Sequence, residues 1–276
     1  MPQQILSDEE VARYNREGLI IPRYRLPPDF IAEAAGVIRR LVESNPDRPP
    51  YVLTNVEEEG DGPTGISGSR RFLEMAAYRP LLDMLEQLIG PDLILWDCAV
   101  ISKPPGAGKA IFWHQDSPYL TRIKPVATTT YWISIDGANL GNGCMSFVPG
   151  SHTRGILRHE KRESELPGFE EKLDESEVDL ASARPVELES GQFCIFDCHT
   201  VHGSGPNRSE KPRTALLYRF IPGDTWYDNA EASYVGGDGV ALESEERPIY
   251  LMRGEDRTAG RNKLWPLPRG FQPWAS

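Results

Sequence analysis

His114-Gln115-Asp116 places an imidazole and a carboxylate two residues apart, and His202 supplies a second imidazole far downstream. Two histidines and one carboxylate, with coordination positions left open, make the facial ligand set of non-haem Fe(II) oxygenases. On an extended strand alternate side chains share a face, so His114 and Asp116 are expected to reach one ion. A plain His–Asp hydrogen bond at the surface is the alternative. Arg213 follows His202 by eleven positions and enters the apolar run Thr214-Ala215-Leu216-Leu217-Tyr218. A guanidinium entering such a strand is costly unless paired, and its planar fork matches a carboxylate. That carboxylate belongs either to the chain itself, in a structural salt bridge, or to the far end of a dicarboxylic co-substrate such as 2-oxoglutarate.

His202 opens the turn Gly203-Ser204-Gly205-Pro206 just after the apolar run Phe193 to Asp197. Strand ends and the loops beyond them are where ligands commonly bind. His199 competes for the same role. Three residues apart on one strand, the two cannot both point inward, so one is a bystander. Cys194 and Cys198, followed by His199, hint at zinc, but no second cysteine pair with ligand spacing accompanies them. All four cysteines (Cys98, Cys144, Cys194, Cys198) lie in or beside apolar runs, as reduced buried thiols do.

The elements that must position these groups change character along the chain. Ser7 and Glu10 form a capping-box pattern for a helix through Val11, Tyr14 and Asn15 that stops at Gly18; Leu19 to Pro22 reads as a short strand. Pro28 opens a second helix with Phe30, Ala34, Val37, Ile38 and Leu41 at helical spacing. Residues 57–65 are acidic and glycine-rich, which predicts a mobile loop, and a third helix runs from Pro80 to Gly90. From Asp92 onward the pattern is short β-type runs separated by Gly, Pro and Asn: Leu93–Trp96, Ala99–Ile101, Thr128–Ile135, Cys144–Val148, Val186–Leu188, Phe193–Asp197 and Thr214–Ile221. Helices first and many short strands afterwards predict a mainly β fold with flanking helices, a jelly-roll (cupin-like) double-stranded β-helix. One domain over residues 1–276 is expected. It comprises a helical N-terminal region (residues 1–91), a jelly-roll core (92–223) with a solvated acidic insertion near 159–180, and a C-terminal extension (224–276).

Composition narrows the function. With 39% hydrophobic and 26% charged residues the chain can bury a full core. A net charge of −11 argues against a nucleic-acid partner, since phosphate backbones call for basic surface. There is no long apolar run to span a membrane and no basic, then apolar, N-terminal leader; a cytoplasmic, reducing location is the expectation.

Several motifs then fall in one order: Lys103-Pro104-Pro105, His114-Gln115-Asp116, Asn142-Gly143-Cys144, Val148-Pro149-Gly150-Ser151-His152, His202-Gly203-Ser204-Gly205-Pro206-Asn207, and Arg213. In these, from about Leu93 to Ile221, the sequence resembles the phytanoyl-CoA dioxygenase family of Fe(II)/2-oxoglutarate-dependent oxygenases. The resemblance implies His114, Asp116 and His202 as iron ligands, Arg213 as the anchor of the distal 2-oxoglutarate carboxylate with help from Ser204, and Trp132 beside the co-substrate. It implies a structural role for His152 and none for His199. O2 would be the second co-substrate, with succinate and CO2 released and an unactivated carbon of a small-molecule metabolite hydroxylated. Halogenating relatives replace the aspartate with a small residue; Asp116 is present here, which favours hydroxylation. Trp113, Tyr119, Trp226 and Tyr227 are candidate walls of the substrate pocket, and the basic stretch Arg253 to Arg269 is expected to be a surface tail, with packing back over the barrel and anion contacts as the alternative. Two other classes stay open: a cupin-type metal-dependent hydrolase or isomerase, and a non-catalytic jelly-roll binding module.

Overall fold

A computed structural model describes residues 4–48, 51–61, 65–106, 108–164, 170–229, 234–235, 241–242 and 247–275. Two antiparallel sheets face each other. The larger has seven strands, in the order Leu19–Ile20, Phe193–Asp197, Thr129–Ser134, Arg213–Pro222, Leu93–Lys103 and Tyr250–Arg253, with Val52–Thr54 also paired to Leu93–Lys103. The smaller has four, in the order Arg184–Pro185, Met145–Phe147, His202–Ser204 and Ile111–His114. This is the expected jelly roll.

Period-two alternation decides what each strand of the large sheet shows to each side. Along Arg213–Pro222, Leu216, Tyr218 and Phe220 join the cluster that also holds the helical residues Phe30, Val37, Leu41, Leu81 and Leu85. Ala215 and Leu217 instead meet Met145 and Phe147 of the small sheet. One face therefore packs under helices and the other lines the interior of the roll, so both sides of this strand are covered.

The helices explain themselves locally. In α1 (Asp8–Glu17) the Ser7 hydroxyl accepts from the Glu10 amide, the Glu10 carboxylate accepts from the Ser7 amide, and Gly18 caps the end at φ 79°. α2 (Pro28–Ser44) starts on proline and buries Phe30, Ala34, Val37, Ile38 and Leu41. α3 (Arg70–Ala76), which carries no strong periodic signal, was not expected; Ser69 caps it. α4 spans Arg79–Ile89.

Other differences are informative. Leu93–Trp96 and Ala99–Ile101 are one eleven-residue strand, because a strand buried on both faces has no polar break to show. Val186–Leu188 is not a strand; the pairing falls on Arg184–Pro185 instead. The acidic stretch 57–65 is not simply solvated, since Glu57 is buried and Gly60–Asp61 pairs with Ser67–Gly68; residues 62–64 of it lie outside the described residues. The acidic insertion forms a two-stranded ribbon, His159–Lys161 with Glu171–Leu173, and the Glu171 amide donates to the Tyr119 hydroxyl. On either side of the basic stretch the C-terminal segment packs back on the fold. It supplies the edge strand Tyr250–Arg253, and Trp274 is buried against Phe30 and Tyr78. No helix of the described residues is long and apolar enough to cross a membrane.

Candidate active site

The small sheet brings the two histidines together. His202 and His114 are directly paired across neighbouring antiparallel strands, with ring centroids 4.3 Å apart. Each ring is fixed by its Nδ1, which contacts the Phe112 carbonyl (2.8 Å) in His114 and the Thr200 carbonyl (2.9 Å) in His202. Such a bond selects the tautomer that turns Nε2 toward a metal. Both Nε2 atoms face Asp116 Oδ1, at 3.7 Å from His114 and 3.8 Å from His202.

Asp116 does not arrive as expected. The strand ends at His114, and Asp116 sits in helical backbone (φ −70°, ψ −31°) at the head of the turn Ser117–Tyr119. Gln115 makes this chain reversal possible. Fully buried, its side chain donates to the Gly155 and His199 carbonyls and accepts from the Leu157 amide. Its own amide donates to His159 Nε2 at 3.1 Å.

The electrostatics suit a cation. Burial, then the neighbouring His202 ring, pushes His114 down to about 3, so its imidazole is neutral. Burial alone would raise Asp116, but His202, Arg219 and His114 outweigh it and hold the carboxyl below its usual range. Asp116 Oδ2 is buried without a hydrogen-bond partner. Two imidazole nitrogens and a carboxylate with an orphaned oxygen, all within 4.8 Å, fit a divalent ion. Asp197, Cys198 and His199 also cluster, but burial holds the Cys198 thiol protonated and His199 is engaged with Asp197. His152 contacts the Asn15 carbonyl, tying its turn to α1.

Two cavities meet at this cluster, and Ile101, His114, Asp116 and Arg219 line both. The smaller, about 450 Å³, runs from the histidines to Arg213 past Trp132, Ser204 and Met145. Arg213 is 2% exposed, its Nε has no partner, and its guanidinium lies 5.2 Å over the Trp132 ring. Among the described residues no carboxylate pairs with it, so the structural salt bridge is not what holds Arg213. Burial lowers it to about 10. Lys103 heads one of the motifs that carry the resemblance, but no role for its side chain could be read there. Its Nζ donates to Ser204 Oγ at 2.7 Å and to the Gly205 carbonyl, and burial, with Arg213 nearby, pushes it down to about 6.

The larger cavity, an open space of about 840 Å³, extends from His114 and Asp116 over Tyr119, Leu120, Thr121, Arg122, Tyr227, Arg219 and Arg247. Of the four candidate pocket walls, Tyr119 and Tyr227 line this cavity; Trp113 and Trp226 line neither cavity. Each neighbours an inward residue, His114 or Tyr227, and alternation turns it outward: Trp113 packs on Val148, Leu157 and Val201, and Trp226 lies under Arg261. Asp97, Arg219 and Arg247 were not anticipated, because single charges inside apolar runs carry no spacing signal.

A jelly roll that sets two histidines of paired strands and the aspartate of the following turn where two cavities meet presents the facial ligand set of non-haem Fe(II) oxygenases. A family model described as phytanoyl-CoA dioxygenase (PhyH) matches residues 14–215, and the chain belongs to that family. It is 27% identical over 225 residues to a methylphosphonate hydroxylase of Gimesia maris, covering 78% of this chain and 80% of the relative. With the human peroxisomal phytanoyl-CoA dioxygenase it shares 25% identity over 274 residues, 95% of this chain and 75% of the relative. Among solved structures, CytC3 with Fe(II) and alpha-ketoglutarate superposes with a TM-score of 0.67 at 23% identity, covering 99% of this chain and 98% of that one, which establishes the shared fold. The protein is a 2-oxoglutarate-dependent non-haem Fe(II) dioxygenase acting on a small molecule.

Proposed function

We propose that His114, Asp116 and His202 hold Fe(II), that Arg213 grips the distal carboxylate of 2-oxoglutarate with Ser204 beside it, and that the reaction is hydroxylation of a free, small polar metabolite in the cytoplasm. The observation that carries this reading is the buried, acid-free guanidinium of Arg213 in the cavity that begins at the His–Asp–His cluster. A bidentate carboxylate is the partner that such a fork lacks.

Bound Fe(II) would supply the redox chemistry that couples dioxygen cleavage to decarboxylation of the keto acid. The chain's own residues do the positioning. Arg213 and the Lys103-held Ser204 fix one end of the co-substrate, so binding energy orients its keto-acid end toward the histidines. Trp132 stacks on the guanidinium and keeps it aimed. Gln115 sets the backbone between the two ligands of the loop. The substrate carbon is presented from the larger cavity, across the ligands that both cavities share. The balanced reaction converts a C–H bond, O2 and 2-oxoglutarate into C–OH, succinate and CO2. With Asp116 present as the third protein ligand, a halide has no vacated position to take.

The test is succinate release from 2-oxoglutarate under air, with and without added Fe(II). Release that needs iron, 2-oxoglutarate and O2 supports the reading. Turnover of any substrate under strict nitrogen would favour the cupin-type hydrolase or isomerase instead.

A further inference from the structure

The larger cavity carries an arrangement that the proposed chemistry does not use. Three arginines line it, Arg122, Arg219 and Arg247. Arg247 is spoken for: it bonds the Trp96 carbonyl (3.0 Å) and Asp97 (2.7 Å) and lies 4.6 Å over the Trp96 ring, forming part of the wall. Arg219 also bonds Asp97, which fixes its stem, while its side chain stays 17% exposed where the two cavities meet. Arg122, in the same lining, donates to the Tyr227 hydroxyl at 3.1 Å. The rest of the lining mixes apolar side chains (Val52, Trp96, Ala99, Ile101, Leu120 and Ile123) with Thr54, Thr121 and two carboxylates: Asp97, which Arg219 and Arg247 bond, and Asp116 of the His–Asp–His cluster. The Trp96 Nε1 donor of that wall is buried without a partner.

We infer that this cavity binds a substrate with a compact oxyanion head, held between Arg122 and Arg219, with its oxidised carbon on a short apolar portion lying along Ile101 toward His114 and Asp116. The inference rests on the dioxygenase reading above and names its substrate class. Guanidinium forks suit phosphonate, phosphate, sulfonate and carboxylate oxygens alike, in two-point contacts that a neutral polar group does not reproduce. The geometry also sets a size. Arg219 borders the metal ligands themselves, so the anionic head and the oxidised carbon are only a few bonds apart. A long acyl chain has no place in that arrangement.

The test uses the Fe(II)-loaded protein under nitrogen, saturated with 2-oxoglutarate, so that Arg213 is already occupied. Methylphosphonate, methanesulfonate and acetate are titrated against their neutral counterparts dimethyl sulfone and acetamide. Binding is read from tryptophan fluorescence, since Trp96 lines the cavity. The expectation is saturable binding of one or more of the oxyanions at least about 10-fold tighter than of the neutral molecules, weakening with salt. R122Q should lose about 10-fold or more of that affinity and R122K recover part of it, with the 2-oxoglutarate affinity of both variants near wild type. Anions and neutral molecules binding alike, or anion binding untouched in R122Q and R219Q variants with wild-type melting temperatures, overturns the inference. The visible charge-transfer band of the iron–2-oxoglutarate complex is recorded in the same cuvette. Its presence with no anion preference sinks only the substrate class, whereas its absence sinks the dioxygenase site on which the inference rests.

Discussion

Replacing Arg213 by methionine separates a co-substrate anchor from a structural arginine. The guanidinium is buried, and among the described residues no acid pairs with it. Its drop from the ordinary 12.5 to about 10 corresponds to a cost of about 3 kcal/mol for the charged form. The contact with Trp132 offsets about 1 kcal/mol of that. R213M removes the buried charge and leaves an unbranched apolar chain on the same ring. The melting temperature of the co-substrate-free variant should therefore equal that of the wild type or rise by up to about 4 °C. The loss falls on 2-oxoglutarate: two charge-assisted hydrogen bonds at about 1.5–3 kcal/mol each predict an affinity at least about 100-fold weaker. Differential scanning fluorimetry under nitrogen, with Fe(II) and with or without 2-oxoglutarate, reads both effects. At 100 times its dissociation constant the co-substrate should stabilise the wild type by about 2.7 kcal/mol, and R213M should show no shift at that concentration. A variant that melts more than about 5 °C lower without co-substrate, or that keeps the wild-type shift, refutes the reasoning.

Three further outcomes follow. Lys103 sits at about 6 in the folded protein against an ordinary 10.5, so between those values the unfolded chain holds a proton that the folded one lacks, and stability rises with pH across that window. Binding the 2-oxoglutarate dianion at pH 8 should then take up close to one proton, seen by calorimetry in buffers of different ionisation enthalpy; K103M should abolish the uptake. Q115A breaks three side-chain hydrogen bonds in a site with no exposure, and a loss of roughly 2–4 kcal/mol is expected by urea denaturation, together with weaker iron binding. W226F should leave the KM values for 2-oxoglutarate and substrate within about twofold of wild type, because the ring lies under Arg261 and outside both cavities.

How much of this was legible in the residues depends on which signals have a period. The capping box at Ser7 and Glu10, the apolar stripe from Phe30 to Leu41 and the turn-bounded β runs each repeat a local rule, and the helices and most strands followed from them. His114 with Asp116 and His202 with Arg213 form two short-range pairs, two and eleven positions apart, and the resemblance to a known family joined them into one site. Alternation, applied one step further, would have turned Trp113 and Trp226 outward, since each adjoins an inward neighbour. Asp97, Arg219 and Arg247 gave no such clue. Their meeting depends on Leu93–Lys103 pairing with Arg213–Pro222 and on a chain end that returns to the roll, and long-range pairing of that kind leaves no local trace. Lys103 was hidden for the same reason: its partner Ser204 lies on the other sheet.

The central claim is tested most directly by adding Fe(II) and 2-oxoglutarate to the protein under nitrogen and recording the visible spectrum. The account predicts a weak metal-to-ligand charge-transfer band in the wild type that H202A lacks and that R213M forms only at far higher 2-oxoglutarate. No band in wild-type protein with iron demonstrably bound would contradict it, and would place the two histidines and Asp116 in a metal site of another chemistry.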